Sequence, residues 1–189
     1  MNSRSPLFEG TTILLFSALI LVLDQASKFA IRYYFSLHES RPVLGSFFRL
    51  TYVENPGMAF SLQFGHSAFL TIFGALASAV ILTLLIRLRH ERFLTRLALA
   101  LVFGGALGNL VDRFVRGGVV DFIEINFGAK GLPVFNLADT AVAIGLVMLV
   151  IVVLIDKEPS LPESKLRETY ARKAKPGTTD EERIWRNGR

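Results

Sequence analysis

Residues 67–86 read SAFLTIFGALASAVILTLLI and contain no charged side chain. An α-helix rises about 1.5 Å per residue, so about 20 apolar residues cross the hydrocarbon core of a bilayer. This stretch therefore predicts a membrane-spanning helix. The chain of 189 residues is 51% hydrophobic, which is high for a soluble domain. A soluble bundle of buried helices is the alternative interpretation.

Three further apolar runs are shorter, and each reaches spanning length only if an aspartate at its end lies at or inside the membrane boundary. The runs are residues 10–23, 97–111 and 140–155, and the aspartates are Asp24, Asp112 and Asp139. We therefore predict an all-α membrane protein with four transmembrane helices, at roughly 11–33, 67–88, 95–114 and 136–156. These helices define a membrane domain over residues 1–156, and the polar residues 157–189 are expected to form a cytoplasmic tail.

The orientation of the spans follows from the arginines. Arg87, Arg89, Arg92 and Arg96 crowd the short link between the second and third spans. Cytoplasmic loops carry such an excess of basic residues, so this link and both termini are predicted to be cytoplasmic. The three span aspartates then all fall at the outer boundary. An ionisable residue at membrane depth indicates a functional site.

The two outer connections, at about 36–66 and 116–132, are predicted to form a small β-sheet on the outer face. The first contains a strand-like piece at 47–53, a turn signal at 54–57 and a possible return strand at 58–62. In the second, Ile123, Ile125 and Phe127 alternate with polar residues. Asp121 lies at the start of that second strand.

The composition excludes several other classes of protein. The chain has no cysteine and only three scattered histidines, so disulfides, a thiolate nucleophile and a metal site are not expected. The net charge of +5 comes from basic residues clustered between apolar runs, which suits a membrane protein better than a nucleic-acid partner. No cofactor is predicted.

Spacing along the helices suggests local partners for the acids. Asp24 and Lys28 are four residues apart and form either a structural ion pair or part of a functional site. In the third span, Asn109, Asp112 and Arg113 share roughly one face. The small residues Gly104 and Gly108 of the same span predict a close approach to another helix, and we interpret them as packing residues.

The start of the fourth span has a capping pattern. Asn136 is a good N-cap residue, and Asp139 follows at the third helical position. The helix N-terminus carries a partial positive charge that favours an anion. Asp139 can therefore be a simple helix cap, although that reading does not explain why other aspartates lie at the same depth.

Four blocks resemble one family. They are "LDQASK" (23–28), "ENPGMAF" (54–60), "GGALGNLVDRFVRGGVVDF" (104–122) and "VFNLADTAVAIG" (134–145). In this order they resemble the bacterial lipoprotein signal peptidase, signal peptidase II. Pro56 and Met58 depart mildly from the small residues that the family usually has near Asn55.

The resemblance implies a four-span aspartic peptidase of the bacterial inner membrane, active at its outer face. Its substrates would be prolipoproteins, cut on the amino side of the diacylglyceryl-modified cysteine, with membrane lipids as neighbours and a monomer as the working form. The catalytic pair would fall on Asp121 and Asp139, with Asp139 as the base because it lies at a helix N-terminus. The supporting or substrate-binding positions implied by the resemblance are Asp24, Asn55, Asn109, Asp112, Arg113 and Asn136, and the spacing from Asp24 adds Lys28 to this set.

Other functions use the same residues. A proton-coupled carrier could use the acids as a relay, but the inner side of the predicted spans offers no matching acids. A non-catalytic binding module would not need Asp121 and Asp139 close together. A serine–lysine peptidase could be based on Ser27 and Lys28, but adjacent helical residues point about 100° apart and do not face each other.

Overall fold

The computed structural model describes residues 6–57, 67–128 and 130–155. Its helices are α1 (Pro6–Tyr34), α2 (Ser67–Arg87), α3 (Phe93–Arg116) and α4 (Leu137–Ile155). Their bounds agree with the prediction to within two residues, except that α1 begins at Pro6 rather than near residue 11. The return strand predicted at 58–62 and the tail at 157–189 lie outside the described residues.

The helices present an apolar surface outward. Val22 of α1, Phe73 of α2 and Val150 of α4 are 62%, 62% and 58% exposed. All four helices are long and apolar enough to cross a membrane. Large exposed apolar patches are unfavourable in water, whereas hydrocarbon solvates them well. The surface therefore favours the membrane interpretation over the soluble bundle.

Helix α3 is the centre of the bundle and the most buried of the four helices. Its glycines let α1 and α4 approach closely. A Cβ at Gly104 would lie 2.7 Å from the carbonyl oxygen of Ser17 in α1. A Cβ at Gly105 would collide with the carbonyl oxygen of Ala138 in α4. The hydroxyl of Ser17 donates to the carbonyl of Ala100 at 3.0 Å. The close approach predicted from Gly104 and Gly108 is present.

An apolar cluster joins α1, α2 and α3 toward the end of the bundle where the arginine link lies. It consists of Ile13, Leu85, Leu99, Ala100 and Phe103. A second cluster lies at the other end, between the last turns of α1 and the sheet, and consists of Ile31, Tyr52, Val120 and Phe122. The second cluster fixes the sheet against the helices near the aspartates.

The sheet is antiparallel in the order β1-β2-β3-β4. The strands are β1 (Ser40–Leu44), β2 (Phe48–Asn55), β3 (Val119–Phe127) and β4 (Lys130–Gly131). Strand β1 was not predicted, because it is short and contains Pro42, which suits an edge strand. The strand predicted at 47–53 is found at Phe48–Asn55, so Glu54 and Asn55 belong to a strand and not to the turn.

Glycines end the elements beside the sheet. Gly117 has a φ of 76° and closes α3, with its N–H donating to the carbonyl of Arg113 at 2.9 Å. Gly128 has a φ of 67° and ends β3. Left-handed backbone of this kind favours glycine, because a Cβ would be strained there. The chain therefore leaves α3 and enters β3 within three residues.

Two contacts of β3 position the site. Asn55 pairs with Val119 and Val53 with Asp121 in the β2–β3 register. On its other side, Ile123 pairs with Phe135, and the N–H of Ile123 donates to the carbonyl of Phe135 at 2.7 Å. Because Phe135 directly precedes α4, the strand carrying Asp121 also fixes the start of that helix.

We predict that Gly108→Ala destabilises the bundle. A Cβ at Gly108 would collide with the carboxylate of Asp24 and lie 3.3 Å from the Cβ of Ala138. Overpacking of this kind costs about 1–3 kcal/mol, which outweighs the gain of about 1 kcal/mol in helix propensity. The control is Gly74→Ala in α2, where the added Cβ meets only Leu110 at 3.7 Å. Thermal unfolding of the purified proteins measures both. Equal melting temperatures would contradict this account of the packing.

Candidate active site

A buried lysine lies between two aspartates where α1 and α3 meet. The Nζ of Lys28 is 2.8 Å from Oδ2 of Asp24 and 2.8 Å from Oδ2 of Asp112. All three side chains are at most 1% exposed. The ion pair predicted from the spacing of Asp24 and Lys28 is present, and Asp112 is a second partner that the spacing did not indicate. Buried charges must be paired in this way to be tolerated.

Two further residues complete this ion cluster, and the sequence analysis did not select either of them. Gln25 donates through Nε2 to Oδ2 of Asp24 at 3.2 Å and to Oδ1 of Asp112 at 3.3 Å. Arg116 lies 2.5 Å from Oδ1 of Asp112. Its position four residues after Asp112 is a signal that could have identified it. Gln25 lies within the first motif block, but nothing in its spacing predicts a contact with α3.

The ion cluster also binds backbone of the neighbouring elements. Oδ1 of Asp24 accepts from the N–H of Ala138 at 2.9 Å, in the first turn of α4. Oδ2 of Asp112 accepts from the N–H of Val120 at 3.3 Å, in β3. Helix N-terminal N–H groups lack partners within their own helix, so a carboxylate there is doubly favourable. The cluster thereby fixes the two elements that carry Asp139 and Asp121.

The predicted cap of α4 is a reciprocal pair. Oδ1 of Asn136 accepts from the N–H of Asp139 at 2.9 Å, and Oδ2 of Asp139 accepts from the N–H of Asn136 at 3.2 Å. This is the geometry of a capping box, with asparagine and aspartate in the two positions. The cap uses one carboxylate oxygen of Asp139. The other, Oδ1, accepts from Nδ2 of Asn109 at 2.7 Å, so the carboxylate also faces the site.

Asp121 is held by amides on both oxygens. Nδ2 of Asn136 donates to Oδ1 of Asp121 at 2.7 Å, and Nδ2 of Asn55 donates to Oδ2 at 3.1 Å. Asn55 reaches Asp121 because β2 extends two residues beyond its predicted end. Its own Oδ1 accepts from the N–H of Gly57 at 2.9 Å, which fixes the direction of the amide.

The two asparagines of the helices join the acids to each other. Nδ2 of Asn136 lies 3.1 Å from Oδ1 of Asn109, so the two amides are hydrogen-bonded. Each then donates to one acid: Asn136 to Asp121 and Asn109 to Asp139. The site therefore contains two carboxyl groups linked through a pair of amides.

Access to the site is one-sided. Asp24, Lys28 and Asp112 are buried, whereas Asp139 and Arg113 are partly exposed. Nη1 of Arg113 lies 3.5 Å from the carbonyl oxygen of Asn109. The charge of the Arg113 guanidinium acts on Asp139 and Asp121. A molecule reaching this face would meet the carboxylate of Asp139 beside a guanidinium.

The pKa of Asp121 is raised to about 6, mainly by burial. The charge of Asp139 adds to the rise, whereas the amides of Asn55 and Asn136 and the charge of Lys28 oppose it. Asp121 is only 4% exposed. A carboxyl group with such a pKa binds its proton well above the usual range, as an acid in a catalytic pair must.

The structure thus brings together all nine positions selected from the sequence through side-chain contacts: Asp24, Lys28, Asn55, Asn109, Asp112, Arg113, Asp121, Asn136 and Asp139. Among the described residues, no group of three or more histidine, aspartate or glutamate side chains is placed to hold a metal ion. The chemistry available here is that of two carboxyl groups, amides and a guanidinium.

Comparison with solved structures gives a close fold match. A bacterial membrane enzyme determined by the in meso method at 2.3 Å resolution superposes with a TM-score of 0.68 at 30% identity, covering 80% of this chain and 95% of that one. A second such structure, at 1.9 Å, gives a TM-score of 0.66 at 29% identity. The second comparison covers 79% of this chain and 95% of that one.

Curated relatives match over most of their length. A lipoprotein signal peptidase of Desulforapulum autotrophicum is 42% identical over 166 residues, covering 85% of this chain and 100% of the relative. One of Moorella thermoacetica is 47% identical over 136 residues, covering 72% and 88%. The sequence profile described as signal peptidase (SPase) II matches residues 16–155, which contain every residue of the candidate site. The chain belongs to the signal peptidase II family.

Proposed function

We propose that this chain is an aspartic endopeptidase that removes signal peptides from lipid-modified prolipoproteins, with Asp121 and Asp139 as its catalytic pair. The cut lies on the amino side of the diacylglyceryl-cysteine, and the enzyme acts as a monomer among membrane lipids. The observation that carries the proposal is the pair of hydrogen-bonded amides, Asn109 and Asn136, which hold these two acids in one site.

The two acids take different parts in the reaction. Asp139 receives an N–H from the helix start and one from Asn109, and we assign it the role of base. Asp121 keeps its proton up to about pH 6, because burial raises its pKa to about 6. The pair then holds one proton, as two neighbouring carboxyl groups do.

Hydrolysis uses that proton and one water molecule. Asp139 removes a proton from water while the water oxygen attacks the scissile carbonyl carbon, and Asp121 donates its proton to the carbonyl oxygen, giving a neutral gem-diol. Asp121 then takes a proton back from one hydroxyl as the C–N bond breaks, and Asp139 gives its proton to the departing amine nitrogen. The carboxyl product and the free amine leave, and the pair again holds one proton.

The neighbouring side chains serve the substrate and the acids. Arg113 is partly exposed, and its positive charge acts on both acids. It is therefore suited to bind a peptide carbonyl of the substrate. Asn55 and Asn136 orient Asp121. Asp24, Lys28 and Asp112 lie behind this layer and support it.

The proposed arrangement places the site at the outer face of the inner membrane. The ends of α1 and α3, the start of α4 and the sheet all meet near the acids, while the arginine link 87–96 joins the opposite ends of α2 and α3. Because basic loops stay in the cytoplasm, the link and both termini are cytoplasmic. Segments 36–66 and 116–132 then lie outside, at the depth of a lipidated cysteine.

The catalytic pair is tested with Asp121→Asn, Asp139→Asn and the double variant. Asparagine is nearly isosteric but cannot transfer the proton, so each single change should lower the cleavage rate of a lipidated prolipoprotein peptide by about 10² to 10⁴ or more. Since the acids act as a unit, the double variant should be little worse than either single one. The matched control is Glu124→Gln, a charge removal on the same strand that should leave cleavage near the wild-type rate. Near-normal cleavage without either carboxylate would refute the pair.

The role of Asp121 as the acid predicts a pH dependence. Its pKa of about 6 means that the proton is bound below this pH and lost above it. We therefore expect kcat/KM of the wild-type enzyme to decline as the pH rises through about 6. In parallel, infrared difference spectra should show the band of a protonated carboxyl group disappearing with a midpoint near 6, and Asp121→Asn should lack that band. A midpoint near the ordinary aspartate value would contradict the role.

The topology is tested by cysteine labelling, for which the cysteine-free chain needs no background mutations. Ser46→Cys in the outer sheet and His90→Cys in the arginine link occupy exposed positions. A membrane-impermeant maleimide should label position 46 in intact cells and position 90 only after permeabilisation. Labelling of position 90 alone in intact cells would reverse the orientation.

A further inference from the structure

The buried Lys28 has a contact that charge neutralisation does not require. Two of its N–H donors go to Asp24 and Asp112. The remaining contact of Nζ is with Oδ1 of Asn109, at 2.9 Å. Lys28 therefore also contacts the amide that binds Asp139.

The chemistry of that contact fixes the direction of the amide. An ammonium group has donors and no acceptor, so Asn109 must turn its oxygen toward Lys28. Nδ2 of Asn136 is a second donor to the same oxygen, at 3.1 Å. The NH2 group of Asn109 then necessarily points the other way, where it lies 2.7 Å from Oδ1 of Asp139.

The second amide is oriented by the same logic. The backbone N–H of Asp139 is an obligatory donor, and it occupies Oδ1 of Asn136. Nδ2 of Asn136 is thereby directed to Asp121 and to the oxygen of Asn109. Lys28 thus orients the amide of Asn109, and the N-terminus of α4 orients the amide of Asn136. As a result Asp139 and Asp121 each accept from an amide N–H.

We infer that Lys28 is a positioning residue for the reaction: it holds the Asn109 amide in the one orientation that offers an N–H to the carboxylate of Asp139. This inference rests on the proposed function of the acid pair. If the Asn109 amide reversed, its oxygen would face the carboxylate of Asp139, and both the geometry and the charge of the base would change.

Charged groups from several elements act on Asp121 and Asp139. A test of Lys28 must therefore leave the other charged groups in place. Helix α1 contributes Lys28 and Asp24, α3 contributes Asp112 and Arg113, and β2 contributes the neutral Asn55. Arg116 of α3 contacts Asp112. Lys28 is the cation of this set that touches the amide of Asn109, so its removal should shift the pair in a predictable direction.

Lys28→Met alone would leave Asp24 and Asp112 buried without their lysine, and such a protein is not expected to fold. The useful comparison is Asp24→Asn against Asp24→Asn/Lys28→Met. In the double variant Arg116 still balances Asp112, so the cluster keeps the net charge of zero that it has in the wild type. The two variants differ only in the ammonium group.

Relative to Asp24→Asn, we expect the folded double variant to lose kcat by up to about 100-fold, as misplaced catalytic groups do, with little change in KM. Without the N–H to Asp139 and the charge of Lys28, proton loss from the pair becomes harder. Both limbs of the pH–rate profile should therefore move to higher pH, by about one unit. Asp24→Asn alone retains the ammonium and should not move the profile upward.

A purely structural lysine would give a different result. The double variant would then have a lower melting temperature and yield, and loss of the Lys28 charge would still move its pH profile, but its folded fraction would keep the maximal kcat of Asp24→Asn, and this outcome would overturn the inference. Lys28→Arg provides a second test, because arginine also has only donors. It should keep the profile at the wild-type pH even if its activity falls. An upward shift as large as that of the double variant would contradict the positioning role.

The infrared titration separates this inference from the proposed function. The midpoint of the Asp121 carboxyl band is measured without substrate, so it reports on the pair even if the wild-type protein cleaves no prolipoprotein peptide. The inference requires a higher midpoint in the double variant than in Asp24→Asn. Equal midpoints would refute it. Loss of wild-type cleavage with a shifted midpoint would refute the peptidase function alone.

Discussion

The contact of the buried Lys28 ammonium with the carboxylates of Asp24 and Asp112 is the constraint on which the rest of the site depends. Removing one partner from a buried pair of this kind costs roughly 3–5 kcal/mol. A slip of one residue between α1 and α3 would turn each side chain by about 100° and break the pair. The helices are therefore held in one register at this depth. Because the same carboxylates bind backbone N–H groups of α4 and β3, that register also fixes where Asp139 and Asp121 lie.

Much of this arrangement could be predicted from the sequence, because it depends on local rules. Span length and charge set the four helices, and the alternating direction of successive spans brought Asp24, Asp112 and Asp139 to one end. The capping pattern of Asn136 and Asp139 needs only three residues of spacing. Gly108 indicated close packing, although the atom that fills the space is the carboxylate of Asp24, which no spacing rule names.

Apart from the contact of Arg116 with Asp112, four residues apart, the contacts that were not predicted cross between distant parts of the chain. Gln25 bridges to Asp112 in α3, and Asn55 reaches Asp121 only through the register of β2 against β3. A turn signal at Glu54 and Asn55 was outweighed by pairing with β3, since sheet formation depends on the partner strand more than on local propensity. Strand β1 is stabilised in the same way, through β2, and carries a proline that argued against it. The roles of the acids rest on the family resemblance and the proposal, because spacing alone left Asp139 as a helix cap.

The ammonium of Lys28 lies one layer behind the acids, whereas the guanidinium of Arg113 is on the partly exposed side of the site. Between Asp121 and Asp139 lie the neutral amides of Asn109 and Asn136, and Lys28 contacts the oxygen of Asn109 from behind. A neutral N–H donor stabilises a carboxylate less strongly than a cation at the same distance would. A cation placed directly between the acids would favour ionisation of both and remove the shared proton that general acid catalysis needs. Amides orient both acids while allowing one of them to stay protonated. Burial then decides which acid stays protonated: Asp121 is the more enclosed of the two, and its pKa is raised to about 6. Asp139 is partly exposed, and under the proposed function it faces the side from which water and substrate would arrive.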